Sequence, residues 1–216
     1  MMTEITINEL YEIMLKEMGP QKWWPAERWM ETVVGSILIQ NASAITVDPV
    51  IEEVGRQTNF DPSILQAMTQ DELETLIMPA GLYRSKAKYL LAALDFFATS
   101  NFDLAQFQTI ETKVLRKELR AIPGIGNETA DVWLVYIFGR AQFIADSYAR
   151  RLLMYLGVHE KMNYDQVKKI VMNQSEFTPD EAREFHALID EFGKMYLRNE
   201  TQFKTSWLQD YRVVQK

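Results

Sequence analysis

The chain of 216 residues contains no cysteine. That excludes a disulfide framework, a thiolate zinc site and a cysteine-ligated iron–sulfur cluster, and it suits a reducing compartment. Histidine is almost as scarce: His159 and His186 are isolated from each other, and no metal-ligand set forms around them. Cationic residues are in deficit, with 23 Lys and Arg against 30 Asp and Glu for a net charge of -7. Nucleic-acid binding is dominated by cationic contacts to phosphate. The charge balance argues against such a partner unless a local patch or backbone N–H donors supply the attraction. No hydrophobic run approaches the ~18 residues of a membrane span. The N-terminus, MMTEITINELYEIM, is acidic and lacks the charged-then-apolar order of a secretory leader. These absences point to a cytoplasmic protein with no membrane partner.

Glycine and proline are also sparse, nine and seven, and they act as punctuation. Gly19-Pro20, Pro25, Pro62, Pro79 with Gly81, Pro123-Gly124, Gly157 and Pro179 separate segments of helical periodicity. The spacing of apolar residues predicts helices over 6–18, 27–41, 43–56, 70–78, 85–99, 112–121, 128–139, 147–157, 163–174 and 179–199. In the first, Ile7, Leu10, Tyr11, Met14 and Met18 share a face; in the fifth, Ala87, Leu90, Leu91, Leu94 and Phe97 do. No stretch alternates as a strand between turn signals, so the expected class is all-α. There is no fixed-period repeat.

One turn carries more information than the others. A helix bearing Val114, Leu115 and Leu119 runs into Pro123-Gly124-Ile125-Gly126, and a second helix with Trp133, Leu134 and Ile137 on its apolar side begins at once. Two glycines two apart allow a backbone that a β-carbon would block. Ile125 between them can turn inward and pin the loop. The amides of Gly124, Gly126 and the next helical turn then point outward, and such a loop grips a phosphate without cationic side chains. A tight helix–helix turn with no ligand accounts for the same four residues.

Twenty residues after Gly126 stands Asp146, immediately before a helical pattern with Tyr148, Leu152 and Leu156. As an N-cap it contributes about 1 kcal/mol of stability. As a catalytic carboxylate at a positive helix end it is expected to stay ionised. It could then stabilise a sugar cation or position an attacking water during glycosidic cleavage.

The run Leu119-x-x-x-Pro-Gly-Ile-Gly-x-x-Thr-Ala-Asp131, followed at this spacing by Asp146, resembles the helix-hairpin-helix DNA glycosylase superfamily that includes endonuclease III. Gly81-Leu82-Tyr83-Arg84-Ser85-Lys86-Ala87 and Ser36-Ile37-Leu38-Ile39-Gln40-Asn41-Ala42 resemble two more of its blocks, and the likeness spans roughly 27–157. The resemblance implies two helical domains with a central cleft: a contiguous bundle over 27–140, and a second domain from 1–26 plus 141–216. It implies a nucleoid-associated enzyme, a monomer, whose partner is double-stranded DNA containing a damaged base. Gly124, Ile125, Gly126 and Thr129 would hold the DNA backbone, with Lys86 among the basic contacts. A sodium or potassium ion could sit at the hairpin backbone of Ile122 and Gly124. Gln40 and Leu82 would fill the gap left by a flipped nucleotide, although on residue type alone Leu82 reads equally as a buried loop leucine. Asp146 would be catalytic.

Two departures from the endonuclease III pattern carry chemistry. Where that branch has the lysine that forms a Schiff base, this chain has Glu128, and a carboxylate cannot form that imine. The expectation is therefore a monofunctional glycosylase without strand cleavage. The four cluster cysteines are also missing. Trp23-Trp24-Pro25 resembles the base-pocket segment of the small 3-methyladenine glycosylase branch, which lacks the cluster. Aromatic faces attract cationic, alkylated purines. That branch has an aromatic after the Gln-Asn element, where this chain has Ala44 and Ile45. Removal of oxidised or mismatched pyrimidines, a non-catalytic hairpin module and a helical interaction scaffold are the other readings.

Overall fold

The fold is that of a computed structural model, which describes residues 2–21, 28–158 and 161–214. The described residues form twelve α-helices, two short 3-10 turns and two three-residue strands, so the all-α class holds. Helix starts follow local chemistry. Thr6, Thr69, Asn163 and Thr178 each accept from the amide three residues on, while Glu9, Glu72, Gln166 and Glu181 reach back in reciprocal capping boxes. The helices absent from the sequence reading are short, Pro62–Ala67 and Glu200–Phe203. Segments of four to six residues are too brief to show a 3.6-residue period.

The chain divides into two compact units, Ala26–Phe138 and Met1–Pro25 with Gly139–Lys216. The first holds α2 (Trp29–Leu38), α3 (Ala44–Thr58), α4 (Pro62–Ala67), α5 (Gln70–Ile77), α6 (Tyr83–Ala98), α7 (Thr112–Ala121) and α8 (Asn127–Tyr136). Its centre is Phe97, whose ring lies 4.7 Å from Trp29 and 5.6 Å from Trp133. Trp133 is fully buried, and its indole N–H donates to Ser36 Oγ at 2.8 Å. That bond fixes α8 against α2. Asp131, also fully buried, receives a two-pronged bond from Arg116 at 2.8 and 3.0 Å, clamping α8 to α7. Leu115 and Leu119 face the core as expected, but Val114 is exposed.

The second unit joins β1 (Thr3–Ile5) and α1 (Ile7–Met18) to α9 (Ser147–Tyr155), α10 (Tyr164–Gln174), α11 (Pro179–Tyr196), α12 (Glu200–Phe203) and β2 (Tyr211–Val213). The strands pair in parallel, Thr3 with Tyr211 and Ile5 with Val213. Three residues per strand cannot display alternation, which is why they escape a reading by pattern. Phe185 of α11 anchors the core against Tyr11 at 5.7 Å and Phe143 at 5.8 Å. Gly193 of α11 lies under the Tyr148 ring, and a β-carbon there would approach it to 2.4 Å. This contact sets the register of α11 against α9.

The Arg116–Asp131 pair is the most exacting electrostatic commitment of the first unit. Removing one partner strands a charge indoors. Asp131→Asn is expected to lower the unfolding free energy by about 3 kcal/mol, measured by urea denaturation.

Candidate functional site

The hairpin joins α7 to α8 through 122–126. Gly124 has φ +80°, and a β-carbon there would meet the Tyr89 ring at 2.1 Å. Its glycine is required from within. Gly126 is different. Its φ is -85° and ψ -173°, and a β-carbon would meet nothing within 4 Å. The expectation that both glycines relieve an internal block is therefore corrected: only Gly124 does so. The open space at Gly126 is on the outside of the hairpin. Ile125 is buried, and its amide donates to Ile122 O at 3.0 Å, closing the turn. Among the described residues, the Gly124 and Gly126 amides have no hydrogen-bond acceptor. They lie beside the positive end of a ten-residue helix.

Two loops are braced against this turn. Gln40, just past α2, donates its side-chain amide to Gly124 O at 3.1 Å and to Thr129 Oγ1 at 3.2 Å. Thr129 is buried, and its hydroxyl supports the hairpin from behind. Lys86 requires a correction. Expected among the basic contacts, it is 2% exposed and donates its ammonium to Leu38 O at 2.7 Å and Ala80 O at 2.9 Å. Burial pushes its pKa down. Its amine is spent on the ends of α2 and of the turn 78–80, so it cannot reach a phosphate. Leu82, next along, is 60% exposed with φ +50°. An apolar side chain held outward in a left-handed conformation is not a buried loop leucine, and that alternative falls.

The backbone oxygens expected at a monovalent cation each hold one hydrogen bond. Ile122 O accepts from the Ile125 amide, and Gly124 O accepts from Gln40. A carbonyl oxygen has two lone pairs, so each keeps one for a further partner. Trp23, Trp24 and Pro25 lie outside the described residues, as does His159.

Asp146 belongs to the second unit. Its Oδ1 accepts from the Ala149 amide at 2.7 Å, so it is the N-cap of α9. Its side chain is only 13% exposed. Burial, the main cause, and the Asp190 carboxylate raise its pKa to about 6 against the help of the Ala149 amide and Arg150. The helix end favours the ionised group as expected, but desolvation outweighs it and moves the titration upward. At neutral pH the ionised form still prevails, but protonation comes within reach. Arg150 does not pair with the carboxylate; its Nε donates to Asp146 O at 3.3 Å. Sequence reading missed two neighbours. His186 Nε2 lies 4.0 Å from Asp146 Oδ2, and Asp190 follows one turn later on α11. The i, i+4 spacing on one helix face was the available signal.

Residues 34–176 match the family described as HhH-GPD superfamily base excision DNA repair protein. A protein of Methanocaldococcus jannaschii, provisionally named a DNA repair glycosylase, is 36% identical over 195 residues, covering 89% of each chain. The chain belongs to the HhH-GPD superfamily. Solved folds of the superfamily agree. The 3-methyladenine DNA glycosylase of H. pylori, bound to 1,N6-ethenoadenine, superposes with TM-score 0.73 at 22% identity, covering 88% of this chain and 98% of that one. Endonuclease III in a trapped covalent DNA intermediate gives TM-score 0.72 at 22% identity, covering 90% and 87%. No group of metal-binding side chains occurs among the described residues. No helix among them is long and apolar enough to cross a membrane.

The two HhH-GPD glycines are expected to respond differently to alanine. Gly124→Ala combines a left-handed backbone with a clash and should cost at least about 2 kcal/mol. Gly126→Ala should change stability by less than about 1 kcal/mol. Thermal and urea unfolding of the two variants checks both. The raised pKa of Asp146 carries a sign. Its protonated form suits the fold, so its contribution is full below the unfolded value near 3.8 and is lost as pH rises through about 6. Asp146→Asn is therefore expected to stabilise the protein by up to about 3 kcal/mol at pH 8. The gain should vanish below pH ~4, read as melting temperature against pH.

Proposed function

We propose that this chain is a monofunctional DNA glycosylase that removes an alkylated purine, of the 3-methyladenine type, from duplex DNA. The observation that carries the reading is Asp146. Oδ1 is fixed by the Ala149 amide, which leaves Oδ2 for chemistry. A carboxylate held in a poorly solvated place interacts strongly with a developing positive charge. Cleavage of the C1′–N bond sends its electron pair to the departing purine and leaves oxocarbenium character on the sugar. Asp146 supports that charge, and water adds at C1′ with loss of a proton. An N-alkylated purine already carries positive charge, and taking the bonding pair neutralises it. Such a substrate asks for little more than a carboxylate and a stacking pocket, the role proposed for Trp23, Trp24 and Pro25.

The DNA would be held by the Gly124 and Gly126 amides, with Leu82 entering the space of the flipped nucleotide. Gln40 would support the same gap from its place beside the hairpin. Glu128, exposed in the first turn of α8, replaces the amine that imine chemistry needs. The protein would act as a monomer. Excision of damaged pyrimidines is the second reading, favoured by the equal likeness to endonuclease III.

Two assays test this reading together. Duplexes carrying 3-methyladenine, 7-methylguanine, hypoxanthine or oxidised pyrimidines are expected to release the alkylpurines, with the rate falling as pH drops through about 6 and Asp146→Asn inactive. Borohydride with an abasic duplex is expected to trap no covalent complex. Release of oxidised pyrimidines alone would overturn the substrate, and efficient trapping would overturn the monofunctional mechanism.

A further inference from the structure

The face of α11 turned to α9 carries His186, Asp190 and Gly193 at i, i+4 and i+7. Gly193 takes the Tyr148 ring, two residues beyond Asp146, which holds the two helices at a fixed separation. In that register His186 Nε2 stands 4.0 Å from Asp146 Oδ2, with both side chains nearly enclosed at 10% and 13% exposure. Asp190 lies one turn on, and its Oδ2 is held by Lys194 Nζ at 2.6 Å. His186 thus sits between a carboxylate across the helix pair and a carboxylate on its own helix.

We propose that His186 is the positioning residue of Asp146: its protonated imidazole holds the buried carboxylate in the ionised, reactive form. The inference rests on the glycosylase reading for its consequence, but not for the pairing itself. Burial and Asp190 both drive Asp146 toward its neutral form, and Arg150 alone among the other groups facing it opposes them by charge. An imidazolium adds a second opposing charge, and it does so when needed. Once His186 carries a proton, its charge resists protonation of Asp146. Carboxylates stand on both helices near His186. Asp146 faces it from α9 and Asp190 from its own helix. One turn earlier, Glu181 and Glu184 on α11 and Glu12 on α1 surround Tyr11, whose pKa burial and these carboxylates raise. The cations on the two helices are Arg150 and Arg151 on α9 and Arg183 and Lys194 on α11.

The pairing is tested by proton NMR of the imidazole Cε1–H signals in the intact protein. There are two histidines, and His159→Gln assigns them. The His186 titration is expected to move down by at least about half a pH unit in Asp146→Asn; an unchanged titration overturns the proposal whether or not any base is released. The consequence is tested by single-turnover excision against pH. In His186→Gln the acid limb is expected to move up by about half a unit or more, with the rate at pH 8.5 within about threefold of the parent. A drop that is uniform across pH marks a merely structural histidine and also overturns the proposal. Absence of excision from every substrate, with the NMR coupling intact, would fault the glycosylase reading and spare the pair.

Discussion

The bond from Lys86 to Leu38 O and Ala80 O governs the Ala26–Phe138 unit more than any other polar contact. A buried ammonium must find acceptors, because an unpaired one indoors is far more costly than a lost surface ion pair. The carbonyls it finds are at the ends of two elements that must stop there. One is the last turn of α2, after which the chain turns out to Gln40. The other is the turn 78–80, after which it turns out to Leu82. Gln40 then bonds the hairpin itself. One amine, placed in the first turn of α6, therefore ties together three exposed loops whose side chains or amides face solvent. Function on a loop needs a rigid support, and here the support is polar and internal.

The second unit resolves a different conflict. An aspartate at an N-cap is stabilising when solvated, because the helix end and the free amides favour its charge. Asp146 keeps one amide bond but loses the water, and burial wins. The result is a carboxylate less stable than its position would give on a surface helix. On the proposed reading, such a site gives up stability for reactivity, the exchange by which active groups often make a protein less stable than it could be. The same burial that weakens the fold strengthens the carboxylate's grip on positive charge nearby.

Much of this was legible in the sequence, for specific reasons. Helices of nine or more residues announce themselves by period, and Asp146 as a cap follows from its place before such a run. Gly124 was legible as a turn glycine because only backbone chemistry explains it. Lys86 reads as a surface cation because it is a lysine in a polar stretch; only the fold shows that α6 turns that position inward beside Ala87. The i, i+4 spacing puts His186 and Asp190 on one helix face, but it carries no information about the contact with Asp146, forty residues away on another helix. The identical letter at Gly126 and Gly124 hid two different causes, one internal and one external.

That last distinction bears on the acidic character of the chain. A net charge of -7 gives the chain as a whole no long-range attraction for phosphate, and Lys86, a cation in one of the recognisable blocks, is spent indoors. Beside exposed cations such as Arg84 and Lys88 stand fixed dipoles: two amides without an internal acceptor at the start of α8 and the helix behind them. Dipoles act over a few ångströms and are fixed in direction, so they select for a phosphate already in place rather than drawing one in. On the proposed reading, encounter with DNA is then weakly driven by charge, and the free energy of recognition shifts to the base that leaves the stack. For an enzyme that must pass over undamaged DNA, that distribution is an advantage: weak general affinity shortens each visit, and the buried carboxylate acts only where a base can be turned out to meet it.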